Sequence, residues 1–228
     1  LPELLNDMQE QLAVLTDGAG NLEQLAKQVE ATKSDYVAAA KKLSAARKKV
    51  ANQLDKAVTK ELPPLKLEAA SFTTRLDPLD EPDWNEFGCE YVSFEVKTNP
   101  NTAAGPIHKV ASGGELARIM LALKVVLADA DPVPTLIFDE VDAGIGGAAA
   151  AAVGDRLARL AEDVQVLVVT HSPQVAARGN AHWQISKTGK KDGNVTEVGE
   201  LIGEIRTEEI ARMLSGANIT EEARAAAE

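Results

Sequence analysis

The chain of 228 residues carries 24 Lys and Arg against 35 Asp and Glu, and this net charge of −11 argues against a protein that coats nucleic acid with its whole surface. With 45% hydrophobic but only 4% aromatic residues, the composition supplies a core and disfavours an all-β fold. One cysteine excludes an internal disulfide, and the lack of a long uncharged apolar run excludes a membrane span, so we expect a cytoplasmic protein.

Residues 1–62 predict one strand of a coiled coil. Apolar residues recur at spacings of three and four along 1–15 and again along 22–50. This stripe is narrower than the face of an amphipathic helix that lies on its own domain, which is the alternative interpretation. A helix of about 40 residues extends roughly 60 Å, so it needs a partner strand along its length.

We expect one interruption within this helix and a stop at its end. Residues 17–21 (DGAGN) contain two glycines and predict an interruption, whose form as a kink, a hinge or the turn at an arm tip stays open. Pro63 and Pro64 end the arm, because proline cannot continue a helix interior. We therefore predict an arm over 1–62 and a separate lobe over 63–228. Because the chain begins in a helical pattern and without methionine, we expect it to be part of a longer protein.

Short strands and loops follow the arm. Residues 71–76 and 89–98 predict strands, separated by an acidic and turn-rich segment. Residues 98–110 predict a long loop that leads directly to Ser112, and loops of this length are usually functional or mobile.

A glycine turn at Ser112 predicts the start of a helix. Ser112, Gly113 and Gly114 precede apolar residues with helical spacing, from Leu116 to Val126. Backbone amides and the positive end of the helix dipole favour a phosphate at such a start. Taken alone, the triplet also fits an ordinary helix cap.

Two apolar segments that predict buried strands end in polar residues. Residues 135–138 lead into Asp139 and Glu140, whose side chains alternate, so that one carboxylate can hold Mg²⁺ while the other faces a water. Residues 166–169 lead to His171. In open α/β sheets, ligands bind at the carboxyl ends of the strands. Each signal alone also fits an exposed strand end or a turn, but together with Ser112 they predict one site.

The remaining sequence predicts short helices and strands. We expect a helix that starts at 148–152, a short helix after Pro173, strands at 182–187 and 195–198, and two helices capped by Thr207 and Thr220. Gly216 would end the first of these two helices. His108 and His182 have no comparable polar neighbours in the sequence and receive no functional role.

The three motifs resemble parts of the ABC-type ATPase head. Residues 110–116 (VASGGEL) are similar to the signature motif, 137–147 (IFDEVDAGIGG) to Walker B with its D-loop, and Thr170-His171 to the switch histidine. The preceding arm places the resemblance with the SMC-like group rather than with transporters. Within that group, the amino-acid sequence over essentially the whole chain resembles the bacterial RecN family of DNA-repair ATPases.

This resemblance implies a fold. The expected lobe is the carboxyl-terminal half of an ABC/SMC-type head, an α/β P-loop NTPase half with a mixed sheet and flanking helices. A long antiparallel coiled-coil helix precedes it. The implied cofactors are ATP and Mg²⁺.

The same resemblance implies roles within one head. Asp139 would hold Mg²⁺ through water, and Glu140 would orient or deprotonate the water that attacks the γ-phosphate. His171 would hydrogen-bond the γ-phosphate.

Other residues would act across two heads. The residues expected to contact ATP held by a second head are Ser112, Gly113, Gly114 and Glu115. Glu115 stands where many transporters have glutamine, a position at which SMC-like heads commonly differ. Asp142 would lie in the D-loop at the dimer interface and link the two sites.

One family motif is missing from the sequence. A Walker A loop, G-x-x-x-x-G-K-[ST], occurs nowhere, because Gly189-Lys190 is followed by Lys191 and lacks the upstream glycine. In SMC-like proteins that loop lies in an amino-terminal segment beyond the outgoing coiled-coil arm. The expected partners are therefore that segment and arm, and the chain alone should not hydrolyse ATP.

The cellular role implied by the resemblance is recombinational repair of DNA double-strand breaks in the DNA damage response. It implies DNA and a second, identical head as further partners, no membrane, and a bacterial cytoplasmic location at the nucleoid. Two alternatives stay open: the head fragment of another SMC-like or ABC ATPase, and a structural arm-and-lobe module without turnover.

Overall fold

The computed structural model describes residues 2–110, 112–128, 130, 133–190, 193–216 and 218–228; for 2–4, 6, 9–19, 188–190, 193 and 194 it describes the backbone alone. The elements in chain order are α1 (Pro2–Glu61), β1 (Ser71–Pro78), β2 (Glu90–Lys97), β3 (Gly105–Pro106), α2 (Gly113–Val126), β4 (Thr135–Asp139), α3 (Gly147–Leu160), β5 (Gln165–Val169), α4 (Pro173–Ala176), β6 (Trp183–Lys190), β7 (Gly193–Glu200), α5 (Glu204–Ser215) and α6 (Glu221–Ala227). Short 3₁₀ turns lie at Pro63–Leu65, Glu81–Asp83 and Ile107–Lys109.

The strands of the described residues form both parallel and antiparallel pairs. β1, β2 and β3 lie side by side in that order, β4 pairs with β5, and β6 pairs with β7. The β4–β5 pair is parallel, whereas β2–β3 and β6–β7 are antiparallel. Helices α2, α3 and α4 precede β4, β5 and β6 along the chain. Together with the long amino-terminal helix and the two kinds of strand pairs, this order confirms the predicted α/β class with mixed strand directions.

Helix α1 is continuous through the segment where we expected a break. Residues 17–21 are helical, so the predicted interruption is wrong. A glycine costs a helix about 1 kcal/mol relative to alanine, but it keeps its backbone donor, so two glycines weaken a helix without ending it. Pro63 and Pro64 do follow the end of the helix, as predicted, and open the 3₁₀ turn after Leu62.

The chain divides into two compact units, one of 1–50 with 76–92 and the other of 51–75 with 93–228. In the first unit, the acidic segment after β1 packs on α1. The rings of Tyr36 and Trp84 stack with centroids 5.5 Å apart, and Tyr36 Oη donates to the carbonyl of Asn85 at 2.9 Å. Lys33 pairs with Glu81, whose hydrogen bond and charge raise the pKa of Lys33. The boundary between arm and lobe at 62–63 stays a prediction.

The core of the second unit begins with the last turns of α1. Its fully buried aliphatic residues come from these turns and from the elements that follow: Val58, Leu62, Leu65, Ile119, Leu121, Val141 and Val153. Phe138 of β4 is also buried in this core, but the next residue back, Ile137, is 70% exposed. The segments predicted as buried strands are strands, but they are not fully buried, because Leu167 and Val169 of β5 are exposed as well.

The carboxyl-terminal helices are capped by one expected residue and one unexpected residue. Thr220 Oγ1 accepts a hydrogen bond from the Ala223 amide at 3.2 Å and caps α6, as predicted. Thr207 lies inside α5, so its predicted cap is wrong: Gly203, with φ +55°, starts that helix and accepts from the amides of Arg206 and Thr207. Gly216, with φ +81°, ends it as predicted.

None of the helices in the described residues is both long enough and apolar enough to span a membrane.

Candidate active site

Two parallel strands bring three predicted residues to one edge. Asp139 lies opposite Val169 in the register of β4 and β5, so the two strands end at the same level. Glu140 directly follows β4, and His171 is the second residue after β5. The side chains of Asp139, Glu140 and His171 are exposed there. This is the edge at which ligands bind in open α/β sheets.

Glu140 has an unusual backbone conformation. Its φ is +56°, in the left-handed region that glycine adopts readily and other residues avoid. Such a conformation costs on the order of 1–3 kcal/mol and tends to occur at functional sites. The carbonyl of Glu140 accepts a hydrogen bond from the Ala143 amide at 3.0 Å, which closes a turn immediately after β4. The carboxylate of Glu140 is thus presented on a constrained turn rather than on a flexible loop.

Asp142 is turned into the protein. The residue is 0% exposed, and its Oδ2 accepts hydrogen bonds from Thr170 Oγ1 and, at 3.1 Å, from the Ser172 amide. The place of Asp142 at an interface with a second head stays a prediction, since its described contacts are all within this chain. Asp142 joins the turn after β4 to the segment after β5.

His171 is held between two residues that Asp142 binds. Thr170 and Ser172 flank it, and the Ser172 amide also donates to Thr170 Oγ1 at 2.9 Å. The His171 ring itself is 79% exposed, with Nδ1 4.0 Å from Asp142 Oδ2. Sequence reasoning assigned no role to Thr170 or Ser172, although polar residues on both sides of a candidate histidine were a visible signal.

Ser112 caps helix α2 at its amino end. Ser112 Oγ accepts a hydrogen bond from the Glu115 amide at 3.3 Å, and the Ser112 carbonyl accepts from the Leu116 amide at 2.9 Å. Ser112 and Gly113 are exposed. The helix start predicted at Ser112 is therefore present, with an exposed serine and glycine at its tip.

The start of α2 lies beside the turn after β4. A Cβ added to Gly114 would lie 3.1 Å from the Ala143 carbonyl oxygen and 3.2 Å from the Ala143 Cβ, so a side chain here would crowd Ala143. A Cβ added to Gly113 would lie 3.8 Å from Glu140 Oε2. The signature-like triplet and the strand-end carboxylates, which are separate in sequence, therefore occupy one region of the second unit.

Two cations that sequence reasoning missed contact the segment after Glu140. Arg118, only 5% exposed, donates from Nη1 to the Ala143 carbonyl at 3.1 Å. Burial lowers the pKa of Arg118, while the charge of Glu115 opposes that change. Lys66 donates from Nζ to the Gly144 carbonyl at 3.0 Å. No sequence signal marked either residue, since both bind backbone carbonyls, which leave no pattern in the sequence.

The carboxylates fit a magnesium ion that is bound together with a nucleotide. No group of three or more His, Cys, Asp or Glu that could hold a metal occurs among the residues described. Mg²⁺ at nucleotide sites typically takes one or two carboxylates, with phosphate oxygens and waters as its other ligands. Exposed Asp139 at the end of β4 satisfies that requirement without further protein ligands.

Comparison with known proteins gives relatives along nearly the whole chain. Proteins named DNA repair protein RecN match it with 42% identity in Rickettsia conorii, 41% in Vibrio cholerae and 44% in Streptomyces coelicolor. These matches cover 92%, 93% and 87% of this chain, but only 38%, 38% and 36% of the relatives. The chain thus spans somewhat more than a third of the length of these relatives. No family model matches.

A solved structure supports the fold. The Smc head domain with a coiled coil and joint from Pyrococcus yayanosii is similar to this chain with a TM-score of 0.51 and 23% identity. The match covers 69% of this chain and 28% of that structure. The similar structure bears on the fold alone, whereas relatives more than 40% identical over about nine-tenths of this chain show that it belongs to the RecN family.

Proposed function

We propose that this chain forms the part of an ATP-hydrolysing head that carries the Walker B carboxylates, the switch histidine and the signature helix of a DNA-repair ATPase. The observation that carries this function is the meeting of Asp139, Glu140 and His171 at one strand edge beside the start of α2. Positioning and electrostatic stabilisation of this kind are the main requirements of phosphoryl transfer. In this scheme, 1–62 is the coiled-coil arm and 63–228 is the lobe.

Each residue at the strand edge has a distinct task. Asp139 would hold Mg²⁺ through water, and the magnesium would neutralise charge on the phosphates. Glu140 orients or deprotonates the attacking water, a task that suits an exposed carboxylate on a constrained turn. His171 donates a hydrogen bond to the γ-phosphate, and Asp142 positions it by binding both of its neighbours.

The start of α2 serves a nucleotide bound by a second head. Ser112 and Gly113 are exposed, and Gly114 and Glu115 complete the first turn behind them. The positive end of the helix dipole and the free amides of that turn favour a phosphate. Asp142, in the turn after β4, would lie at the interface with that second head, together with the exposed Gly144 and Gly146 of the same turn.

Hydrolysis requires a segment that carries a Walker A loop. That motif is absent from the 228 residues, and the relatives are far longer than this chain. The apolar face formed by Ile137, Leu167 and Val169 is exposed and directly adjoins the strand edge. Apolar faces of this kind usually mark contact surfaces, and here the amino-terminal head segment is the partner.

The relatives' name, DNA repair protein, supports a role in DNA repair, and we propose that this role is the repair of double-strand breaks by recombination. DNA and a second copy of the head are the further partners in this scheme. The exposed seam of α1, with Leu22, Leu25 and Val29, supports pairing with the outgoing coiled-coil arm. The location proposed is the bacterial cytoplasm, at the nucleoid.

Replacement of Glu140 tests this function directly. This chain is assembled with its Walker A segment, and ATP hydrolysis is measured for the wild type and for Glu140→Gln. We expect turnover to fall by at least about 10²-fold, because a general base contributes roughly that factor, while MgATP binding is retained. Glu162→Gln, at an exposed acid after α3, is the matched control and should leave turnover unchanged. Turnover that survives Glu140→Gln would exclude the catalytic role.

A second variant tests the contact between heads. Ser112→Arg places a long side chain at the exposed tip of α2, so we expect ATP binding to persist while ATP-dependent dimerisation is lost. Light scattering measures the dimerisation. Dimers that form as readily as in the wild type would contradict the role of α2 in a second head's site.

A further inference from the structure

The loop that follows Glu140 is held at two successive carbonyls by cations from other elements. We refer to residues 141–146 as the catalytic-edge loop. Arg118, from α2, donates to the Ala143 carbonyl at 3.1 Å, and Lys66, from the segment after α1, donates to the Gly144 carbonyl at 3.0 Å. Two donors from different elements therefore restrain the middle of this loop.

The backbone of Lys66 is rigidly placed although its side chain is exposed. Its neighbours Leu65 and Leu67 are buried, and its own amide donates to the Pro63 carbonyl at 3.1 Å. Its φ is +61°, and Lys66 and Glu140 are the non-glycine residues with positive φ in the described part of the chain. The backbone from which the Lys66 side chain extends is thus fixed to the 3₁₀ turn that follows the arm helix.

The end of α1 also contacts the element that follows the catalytic-edge loop. Glu61, in the last turn of α1, forms a half-buried ion pair with Arg156 of α3, with Nε 2.8 Å from Oε2. Helix α3 begins at Gly147, directly after the loop. A shift of the end of α1 would therefore act on the loop through Lys66 and on α3 through Glu61.

Movement of the loop would reach Glu140 through the backbone. The Ala143 amide donates to the Glu140 carbonyl at 3.0 Å, so the residue whose carbonyl Arg118 binds also closes the turn of Glu140. The left-handed conformation of Glu140 persists only if surrounding contacts maintain it. Arg118 and Lys66 supply two such contacts.

We propose that Lys66 and Arg118 are positioning residues for ATP hydrolysis, which hold the catalytic-edge loop so that the Glu140 carboxylate faces the attacking water. Lys66 also links the orientation of Glu140 to the end of the arm helix. This role rests on the proposed ATPase function and adds two residues outside the signature and Walker B motifs to the same site.

Lys66 provides the sharper test, because it is exposed and its replacement leaves the core intact. ATP hydrolysis is measured for this chain assembled with its Walker A segment. Lys66→Met removes the donor and keeps the apolar stem. We expect kcat to fall about 10-fold with KM for ATP within about twofold, because a misplaced catalytic group slows chemistry more than binding. Lys66→Arg, which keeps a donor, should recover most of kcat.

Two further variants separate positioning from a general structural effect. Lys60→Met, at an exposed lysine in the last turn of α1, changes the net charge equally and should leave kcat and thermal stability unchanged. Arg118→Lys should lower kcat, and the double variant with Lys66→Met should lose less than the product of the single effects, since both donors act on one loop. If Arg118→Lys does not fold, the Lys66 variants decide.

Three results would overturn this role. The first is a kcat for Lys66→Met within about twofold of the wild type. The second is failure of Lys66→Arg to recover activity. The third is an equal loss in Lys60→Met. Absence of any ATPase activity in the wild-type assembly would instead refute the proposed function, and the positioning role with it.

Discussion

The middle and the carboxyl end of helix α1 carry the same kind of apolar pattern and differ completely in burial. Leu25, in the first unit, is 55% exposed, whereas Val58 and Leu62 at the end of the helix region are fully buried in the second unit. Leu22, Val29 and Val50 are also exposed. Three-four spacing therefore shows that a helix needs a partner, but it does not show whether the same chain provides that partner.

This difference shows which part of the helix region is packed within this chain. Residues 51–62 obtain their apolar contacts from the core of the second unit, so their burial stabilises this chain by itself. Residues 22–50 keep an apolar seam on the surface, and an exposed seam of this length is typical of a strand that pairs with another helix. The predictions below compare buried and exposed positions, from the largest expected effect to the smallest.

Truncation of a buried leucine and of an exposed leucine in the arm pattern should lower stability by very different amounts. We expect Leu62→Ala to lower the free energy of unfolding of the second unit by about 2–5 kcal/mol, because it opens a cavity in the core. Leu25→Ala should change it by less than about 0.5 kcal/mol in the unpaired chain. Urea unfolding followed by circular dichroism measures both. Equal losses would show that the seam of α1 is already buried in solution.

The adjacent glycines at the start of α2 give the same contrast within one motif. Gly114→Ala should lower stability by about 1–3 kcal/mol, because the new methyl group meets the Ala143 backbone at 3.1 Å. Gly113→Ala should be tolerated, since its nearest neighbour is a side-chain oxygen of Glu140 at 3.8 Å. Thermal unfolding of the two variants checks this order. Similar melting temperatures would mean that α2 is not packed against the catalytic-edge loop.

The buried carboxylate of Asp142 gives a third test. Thr170→Val removes a hydroxyl that donates to Asp142 and accepts from the Ser172 amide, so we expect a loss of about 1–2 kcal/mol. Thr196→Val, on the exposed surface of β7, is the control and should have little effect. Denaturant unfolding measures both variants. A neutral Thr170→Val would indicate that the turn and the switch segment are not coupled.

The smallest effect should be a pH dependence from His182. Burial lowers the pKa of His182, and Arg206 lowers it further while Glu209 raises it. The unfolded chain therefore takes up this proton near pH 6.5, and the folded chain does so only at lower pH. Stability should fall as the pH decreases below 6.5, because the unfolded state then binds more protons.

The His182 contribution is isolated by comparing variants across that pH range. His182→Gln should reduce the loss of stability between neutral and mildly acidic pH, whereas His108→Gln, at an exposed residue, should not. Unfolding free energies measured at several pH values give the two slopes. Identical slopes for the wild type and His182→Gln would exclude this histidine as the cause.

Local chemistry made much of the candidate site predictable. Ser112 and the glycines after it marked a helix start, and the apolar runs before Asp139 and His171 marked strands whose ends share an edge once the strands are parallel. These signals depend on nearest neighbours along the chain. The break at 17–21 was wrong because a helix tolerates glycines that keep their backbone donors, and the cap at Thr207 was wrong because Gly203 starts that helix.

The sequence by itself determined most helices and strands of the second unit and the residue types at the strand edge, because periodicity, caps and prolines act over a few residues. Only the tertiary structure decided that Asp142 is buried beneath His171, that Gly114 contacts Ala143, and that Lys66 and Arg118 bind the loop after Glu140. These contacts join residues far apart in the chain, and several end on backbone carbonyls, which every residue carries and no sequence pattern reveals.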